Sequence, residues 1–348
     1  MLIEIKNITK HFPLGKSLLR EPGHFIHALD NVNLSIHKGR TLALVGESGS
    51  GKTTLGKIIA GLINPTSGEV LFEGQNITEH ESIEPRNWRR QLQIIFQDPY
   101  ASLNPRHNVR RTLSRPFVVH TDHTRKEIDI KIKDLLTSVG MTPPEQTMVR
   151  YPHQFSGGQR QRLVIARAIA LQPKFIIADE PVSALDMSVK AQLLNLMRKF
   201  QSELNLTYLF ITHELSVVRT IAQDIAVMYL GEIVEQGPAR ELFVRPFHPY
   251  SKALLAATPG LDPRKRVQKK DTLKGDIPSN IEPPSGCRFH TRCPYAEDIC
   301  QQKAPSTRYI GERRVACHFV GRPGFPLTEN IPLSDRDMAV KGTIGNPR

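Results

Sequence analysis

Every fixed position of a G-x-x-x-x-G-K-[ST] loop is filled by Gly46-Glu47-Ser48-Gly49-Ser50-Gly51-Lys52-Thr53. No other stretch restricts the fold as tightly, because such a loop works only between a buried strand and a helix. Thr41 to Val45 before it is an apolar run of strand length. Thr54 to Leu62 after it carries Leu55, Ile58, Ile59 and Leu62 at helical spacing. Gly46, Gly49 and Gly51 let backbone N–H groups face inward as an anion cradle. The helix start, with Thr54, adds partial positive charge at the same place. The loop therefore reads as a nucleotide site, with Lys52 on the β- and γ-phosphates and the Thr53 hydroxyl on Mg²⁺.

At 348 residues the chain has room for one large domain and a smaller one. It contains no apolar run of the length that crosses a membrane. Met1 to Lys6 lacks the charged-then-apolar pattern of a signal peptide, so the expected place is the cytosolic side of a membrane. A net charge of +13 suits a nucleic acid, an anionic membrane face or a basic partner, and does not choose among them. The four cysteines all fall between Cys287 and Cys317, which argues for a shared ligand.

Several strands are expected to end in polar groups. Gln93-Ile94-Ile95-Phe96 runs into Gln97, and Pro99 forbids continuing the ladder. Phe175 to Ala178 runs into Asp179-Glu180, and Thr207 to Thr212 into His213. In an open α/β sheet, ligands bind outside the carboxyl ends of the strands, so these groups and the phosphate loop converge on one nucleotide. Asp179 is expected to hold Mg²⁺ with Thr53, and Glu180 to be the general base toward the attacking water. His213 is read as touching the γ-phosphate, and Gln97 as completing the metal shell. Phe12, expected on a loop over the nucleotide, is read either as an aromatic stacked on adenine or as an ordinary core residue. Taken singly, each of these has a bland reading: a strand-end His is commonly a surface His, and an Asp-Glu pair commonly a solvated turn. Their joint order and spacing argue against it.

Residues 98 to about 165 change character toward charge and helical periodicity, and read as an inserted helical lobe. Ser156-Gly157-Gly158-Gln159 starts a helix there, with Ser156 as N-cap. A helix start is an anion site. It lies in the lobe, so a second copy or a homologue is expected to bring its own such helix over the phosphates. Lys16 to Phe25 reads as an inserted loop and Thr258 to Asp271 as a basic linker. The last twenty-odd residues read as a mobile tail.

Gly46–Thr53, Gln97, Phe155-Ser156-Gly157-Gly158-Gln159, Phe175–Glu180, Ser183-Ala184-Leu185-Asp186 and His213 resemble the Walker A, Q-loop, signature, Walker B, D-loop and H-loop of ABC-transporter ATPases, in family order. The resemblance implies an α/β P-loop NTPase, with a RecA-like core, an antiparallel β subdomain and the helical lobe. It implies two such chains sandwiching two ATP molecules, each against the other's signature. Ile95–Arg106, Tyr151–Arg162, His248–Leu255 and the cysteine segment are similar to the dipeptide/oligopeptide branch. That likeness divides the chain into an ATPase domain at 1–257, a C-terminal extension at 258–321 and the tail at 322–348. It implies a peptide importer with a second ATPase chain, two permeases and an extracytoplasmic binding protein, docked on the cytoplasmic face of the inner membrane. Other cargo (nickel, haem, antimicrobial peptides) stays open, as does export. A soluble ABC ATPase acting on nucleic acid is the rival from another class; such proteins usually carry two ATPase units in one chain.

Cys287, Cys293, Cys300 and Cys317 are spaced C-x5-C-x6-C-x16-C. A reducing compartment disfavours disulfides. Four thiolates can hold tetrahedral Zn²⁺, but zinc knuckles favour closer pairs, and long spacings suit a [4Fe–4S] cluster. The branch resemblance also implies a cluster, with a structural role: it would pin a segment that has too few apolar residues to fold alone, since ATP hydrolysis needs no electron transfer.

Overall fold

A computed structural model of the chain describes residues 1–14, 24–78, 85–256 and 275–327. β1 (Ile3–Pro13) pairs antiparallel with β2 (Phe25–Ile36), with Phe12 opposite Ile26. β3 (Thr41–Val45) leads into the phosphate loop and α1 (Lys52–Ile59). β4 (Ser67–Phe72) returns beside β1, and β5 (Gln75–Asn76) pairs with β4. These strands form a four-stranded sheet in the order β2-β1-β4-β5. Its Ile3, Ile5, Val70 and Phe72 side chains bury against α1 and the main sheet.

α2 (Pro85–Gln91) and β6 (Leu92–Ile95) precede the helical lobe. The lobe holds α3 (Pro99–Ser102), α4 (Val109–His120), α5 (Arg125–Ser138), α6 (Pro144–Val149) and α7 (Gly157–Ile169). Thr124 and Glu127 close a capping box at the start of α5, and Ser156 with Gln159 closes another at α7. α7 carries Leu163, Val164 and Ile165 back into the core shared with the main sheet.

β7 (Phe175–Asp179), α8 (Met187–Leu204), β8 (Thr207–Ile211), α9 (Leu215–Ile221), β9 (Asp224–Tyr229) and β10 (Glu232–Pro238) follow. The second sheet runs β11-β12-β10-β9-β3-β8-β7-β6. From β6 to β9 its pairings are parallel. β3, β7 and β8 are buried along their whole length, as strands covered on both faces must be.

The C-terminal part runs through α10 (Ala239–Val244), α11 (Pro249–Ala256) and α12 (Asp298–Gln302) to the hairpin β11 (Thr307–Ile310) and β12 (Arg313–Ala316). β12 pairs with β10, Val315 opposite Glu235, so this hairpin extends the edge of the main sheet.

Three expectations change. Phe12 sits in β1, not on a loop. The cysteine segment does not want for apolar partners: Ile310, Val315, Phe319, Val320, Phe325 and Leu327 form a cluster with Phe247. Phe325 and Leu327 are buried, so the tail expected from residue 322 is packed at its start. The rest of that tail, the linker at 258–271 and the inserted loop, save His24 and Phe25, lie outside the described residues.

Candidate functional site

β3 is held between β8 and β9 in parallel register and delivers the chain to Gly46 at the carboxyl edge of the sheet. Close approach demands glycine at two loop positions. A Cβ on Gly46 would stand 2.1 Å from the Met228 carbonyl oxygen, and one on Gly51 2.4 Å from that of Ala28. Gly51 also has φ +104, outside the reach of ordinary side chains.

A cavity of about 630 Å³ opens on this loop. Ser48, Gly49, Gly51, Lys52, Thr53 and Thr54 line it from one side, and Gln97, Glu180 and His213 from the strand ends. Phe12, Ile26 and Ala28 make an apolar wall from the smaller sheet. Gly46, Glu47 and Ser50 shape the loop from behind: Lys52 Nζ donates to the Gly46 carbonyl at 2.9 Å, the Glu47 carbonyl at 2.8 Å and Ser50 Oγ at 3.2 Å. Burial lowers the Lys52 pKa, against the raising pull of Glu180, Asp179 and Glu47.

Thr53 Oγ1 donates to Asp179 Oδ1 at 3.2 Å. Burial raises the Asp179 pKa; the Thr53 hydrogen bond opposes this, and the neighbouring charge of Glu180 adds to it. A buried carboxylate beside a hydroxyl oxygen is the donor set that a hard cation such as Mg²⁺ fits. Glu180 follows with φ +47, a left-handed conformation rare for a side-chain-bearing residue. This turn breaks the strand alternation and brings the Glu180 carboxylate to Gln97 and His213. Gln97 Nε2 donates to Glu180 Oε2 at 3.2 Å, and His213 Nδ1 lies 2.8 Å from Glu180 Oε1.

Ser156, Gly157, Gly158 and Gln159 stand apart from this cavity, at the start of α7. The Ser156 N–H donates to Gln159 Oε1 at 3.1 Å, and the Gln159 N–H to Ser156 Oγ at 3.3 Å. Beside them Phe155 is buried, with the Arg150 guanidinium 4.3 Å above its ring.

Three contributors escape sequence reasoning. Asn280 lines the cavity and binds the loop. Arg292 pairs with Glu47, and Tyr250 accepts from the Glu47 N–H. All come from beyond the ATPase motifs, and only the His-Pro-Tyr around Tyr250 offered any signal.

The four cysteine thiols gather in the extension, near enough for their charges to act on one another. Burial pushes Cys287 and Cys293 up to about 12 and raises Cys317. Backbone N–H groups of Phe289, Tyr295 and Phe319, each two residues on from its cysteine, oppose the rise by bonding the sulfurs. Cys300 and Cys317 are buried and Cys287 and Cys293 half-buried, and no three of the sulfurs lie within 4.8 Å of one another; such a spread set with N–H donors fits a multi-iron cluster better than one tetrahedral ion. A separate trio, His11, His27 and Asp30, has its ligand atoms within 4.8 Å. There Asp30 is already engaged by the Arg288 guanidinium, which supplies the cation.

Residues 29–183 match the family model described as ABC transporter, and residues 234–300 match the oligopeptide/dipeptide transporter C-terminal region. The chain is 46% identical to the oligopeptide transport ATP-binding protein AppF of Bacillus subtilis, over 91% of this chain and 97% of that one. It is 43% identical to the dipeptide transport ATP-binding protein DppF of Escherichia coli, over 93% and 96%. Among solved structures, the dimeric ATP-binding cassette MJ0796 bound to ADP and phosphate superposes with a TM-score of 0.61 at 30% identity, covering 69% of this chain and 99% of that one. The chain therefore belongs to the ABC-transporter family as an ATP-hydrolysing subunit, in the branch that carries the oligopeptide/dipeptide C-terminal region.

Proposed function

We propose that this chain powers import of dipeptides or oligopeptides through a membrane ABC importer. The observation that carries this reading is the single cavity where the phosphate loop meets Gln97, Glu180 and His213. The cargo class follows relatives that share over nine-tenths of the chain and are named for peptide transport.

ATP lies with its base toward Phe12 and its phosphates in the loop from Gly46 to Thr54. Lys52 and the loop N–H groups balance the phosphate charge. Thr53 and Asp179, with Gln97 beside them, would hold Mg²⁺, which supplies charge neutralisation at the terminal phosphates. Glu180 takes a proton from the attacking water as the water oxygen bonds to the γ-phosphorus and the bond to ADP breaks. Gln97 and His213, bonded to the two Glu180 oxygens, fix that carboxylate. Ser156 to Gln159 act on the ATP of a second, homologous chain, presenting the N-terminus of α7 to its phosphates.

No helix among the described residues is long and apolar enough to cross a membrane. We place the chain on the cytoplasmic face of the inner membrane, held there by two permease subunits, with an extracytoplasmic peptide-binding protein completing the importer. A groove of about 700 Å³ next to the Gln97 segment, lined by Gln93, Asn104, Arg111, Arg115 and exposed Val118, offers a basic, partly apolar seat for a short permease helix. Cys287, Cys293, Cys300 and Cys317 hold one [4Fe–4S] cluster in this reading, with Zn²⁺ the alternative.

The test is labelled dipeptide uptake and ATP turnover in the complex assembled with its membrane partners. Glu180→Gln is expected to keep ATP binding while lowering turnover at least ~10²-fold, the size of a lost general base, and to abolish uptake. Near-normal turnover rejects the role of Glu180. A wild-type complex that turns over ATP without moving peptide rejects the cargo.

A further inference from the structure

The phosphate loop is gripped from the far end of the chain. Arg292, 5% exposed, sets Nη1 2.7 Å from Glu47 Oε2 and Nη2 3.1 Å from Oε1, a two-pronged ion pair. Tyr250, fully buried in α11, accepts the Glu47 N–H at 2.9 Å. Two residues on, the Gly49 carbonyl accepts from Asn280 Nδ2 at 2.9 Å. Asn280 is itself anchored, because its carbonyl accepts the His27 N–H of β2 at 2.8 Å. Glu47 is thus held at its N–H and carboxylate from outside the loop and at its carbonyl by Lys52. Ser48, between the two gripped residues, lines the cavity.

A loop this rich in glycine loses more backbone entropy on ordering than an ordinary one. Contacts that hold it in its binding form before the ligand arrives remove that cost from the binding step. The flanking strand and helix fix the ends of the loop and Lys52 holds the Glu47 carbonyl, but the Glu47 N–H and carboxylate and the Gly49 carbonyl are held from outside it. We infer that Arg292 and Asn280 are positioning residues for the phosphate loop, so that the cysteine-bearing extension sets part of the affinity for ATP. This rests on the ATP site above and is independent of what the thiols bind. Arg292 is the immediate neighbour of Cys293, and the turn that contains it is tied down by the Arg292 N–H to the Phe289 carbonyl at 3.0 Å. Phe289 in turn packs on Tyr229 and Tyr250 with ring centroids 5.2 and 5.4 Å away. The extension therefore touches the loop through Arg292 and Asn280, and the packing of Phe289 on Tyr229 and Tyr250 fixes the turn that carries Arg292.

The experiment is equilibrium ATP binding to the full-length chain, with steady-state turnover alongside. Arg292→Gln is expected to weaken binding about tenfold, the effect of one lost charge-assisted pair, and to raise KM while kcat at saturating ATP stays within about twofold. Glu47→Gln should weaken binding similarly, and the double variant should be no worse than either single one, because both remove the same contact. Arg292→Lys keeps the charge but not the fork and should fall between. Asn280→Ala should weaken binding about threefold. If Arg292→Gln does not fold, Arg292→Lys and Asn280→Ala decide. Wild-type affinity in the folded variants, or additive losses from Glu47→Gln and Arg292→Gln, overturns the inference. A wild-type chain that fails to bind ATP overturns instead the site on which it rests.

Discussion

Asp179 shows how the proposed catalytic centre works against the stability of its own fold. Its carboxylate is buried beside Glu180, and its pKa in the folded chain is raised. A raised carboxyl pKa means that the folded state holds the proton more tightly than the unfolded one. The stability this group contributes is therefore present below its unfolded pKa and is lost as pH rises through the folded value. Once ionised, Asp179 lowers the stability of the fold, an effect that a bound cation would offset. Asp179→Asn should raise the melting temperature of the nucleotide-free chain by about 2 °C or more and flatten its acid-side pH dependence. The Asn carbonyl can still accept from Thr53, so the fold keeps that contact. Mg²⁺-dependent ATP binding should fall sharply in the same variant. A melting temperature that drops instead would show that the carboxylate is compensated by something other than a cation. The backbone of Glu180 makes the same point, since a left-handed φ of +47 costs on the order of 1 kcal/mol and serves to aim one carboxylate.

The residues to which we assign the chemistry sit at strand ends and helix starts, and these positions were readable in the sequence. An apolar run that stops in Gln97, in Asp179-Glu180 or in His213 announces a sheet edge that faces a ligand. The start of α7 was readable in the same way from Ser156 as N-cap, and the structure adds Gln159, which closes a capping box with it. Its neighbours decide how its role across a dimer can be tested. A Cβ on Gly158 would stand 2.6 Å from Val189 Cγ1 of α8, so any substitution there first disturbs packing inside its own chain. At Gly157 the nearest atom, Leu185 Cδ2, is 3.4 Å away and the residue faces solvent. Gly157→Asp is thus the cleaner probe. It should leave ATP binding in its own cradle within about threefold, yet abolish most hydrolysis by placing a carboxylate where the proposed dimer would bring a partner's phosphates. Full turnover in an assembled dimer carrying Gly157→Asp in both chains would rule out the trans role.

What the sequence could not show is how the extension joins the body, because those contacts link residues far apart in the chain and carry no local period. Glu235 is wholly buried and pairs with Arg313 of β12, while also accepting the Phe247 and His248 N–H groups at 2.9 Å each. Breaking such a pair leaves an uncompensated charge and costs about 3–5 kcal/mol, so the extension is fixed to the sheet edge. Composition suggests too few apolar residues in the cysteine segment for it to fold alone, because it does not reveal that Phe247 of the body joins Phe319, Val320 and Phe325 in one buried cluster. The metal centre proposed above would therefore be held by a segment that apolar packing already ties to the body. Cys287 and Cys293, pushed up to about 12, would stay protonated without a metal, so metal entry must release protons and should be favoured by rising pH. Protein purified without oxygen should carry about four irons per chain together with inorganic sulfide, if the cluster is right. Cys293→Ser should lose that iron. The folded body should survive the loss, as judged by an unchanged thermal transition of the ATP-bound chain to within a few degrees. Stoichiometric zinc with no iron in anaerobic protein would replace the cluster by a single tetrahedral ion, and would leave the ATP site and its grip by Arg292 as they are.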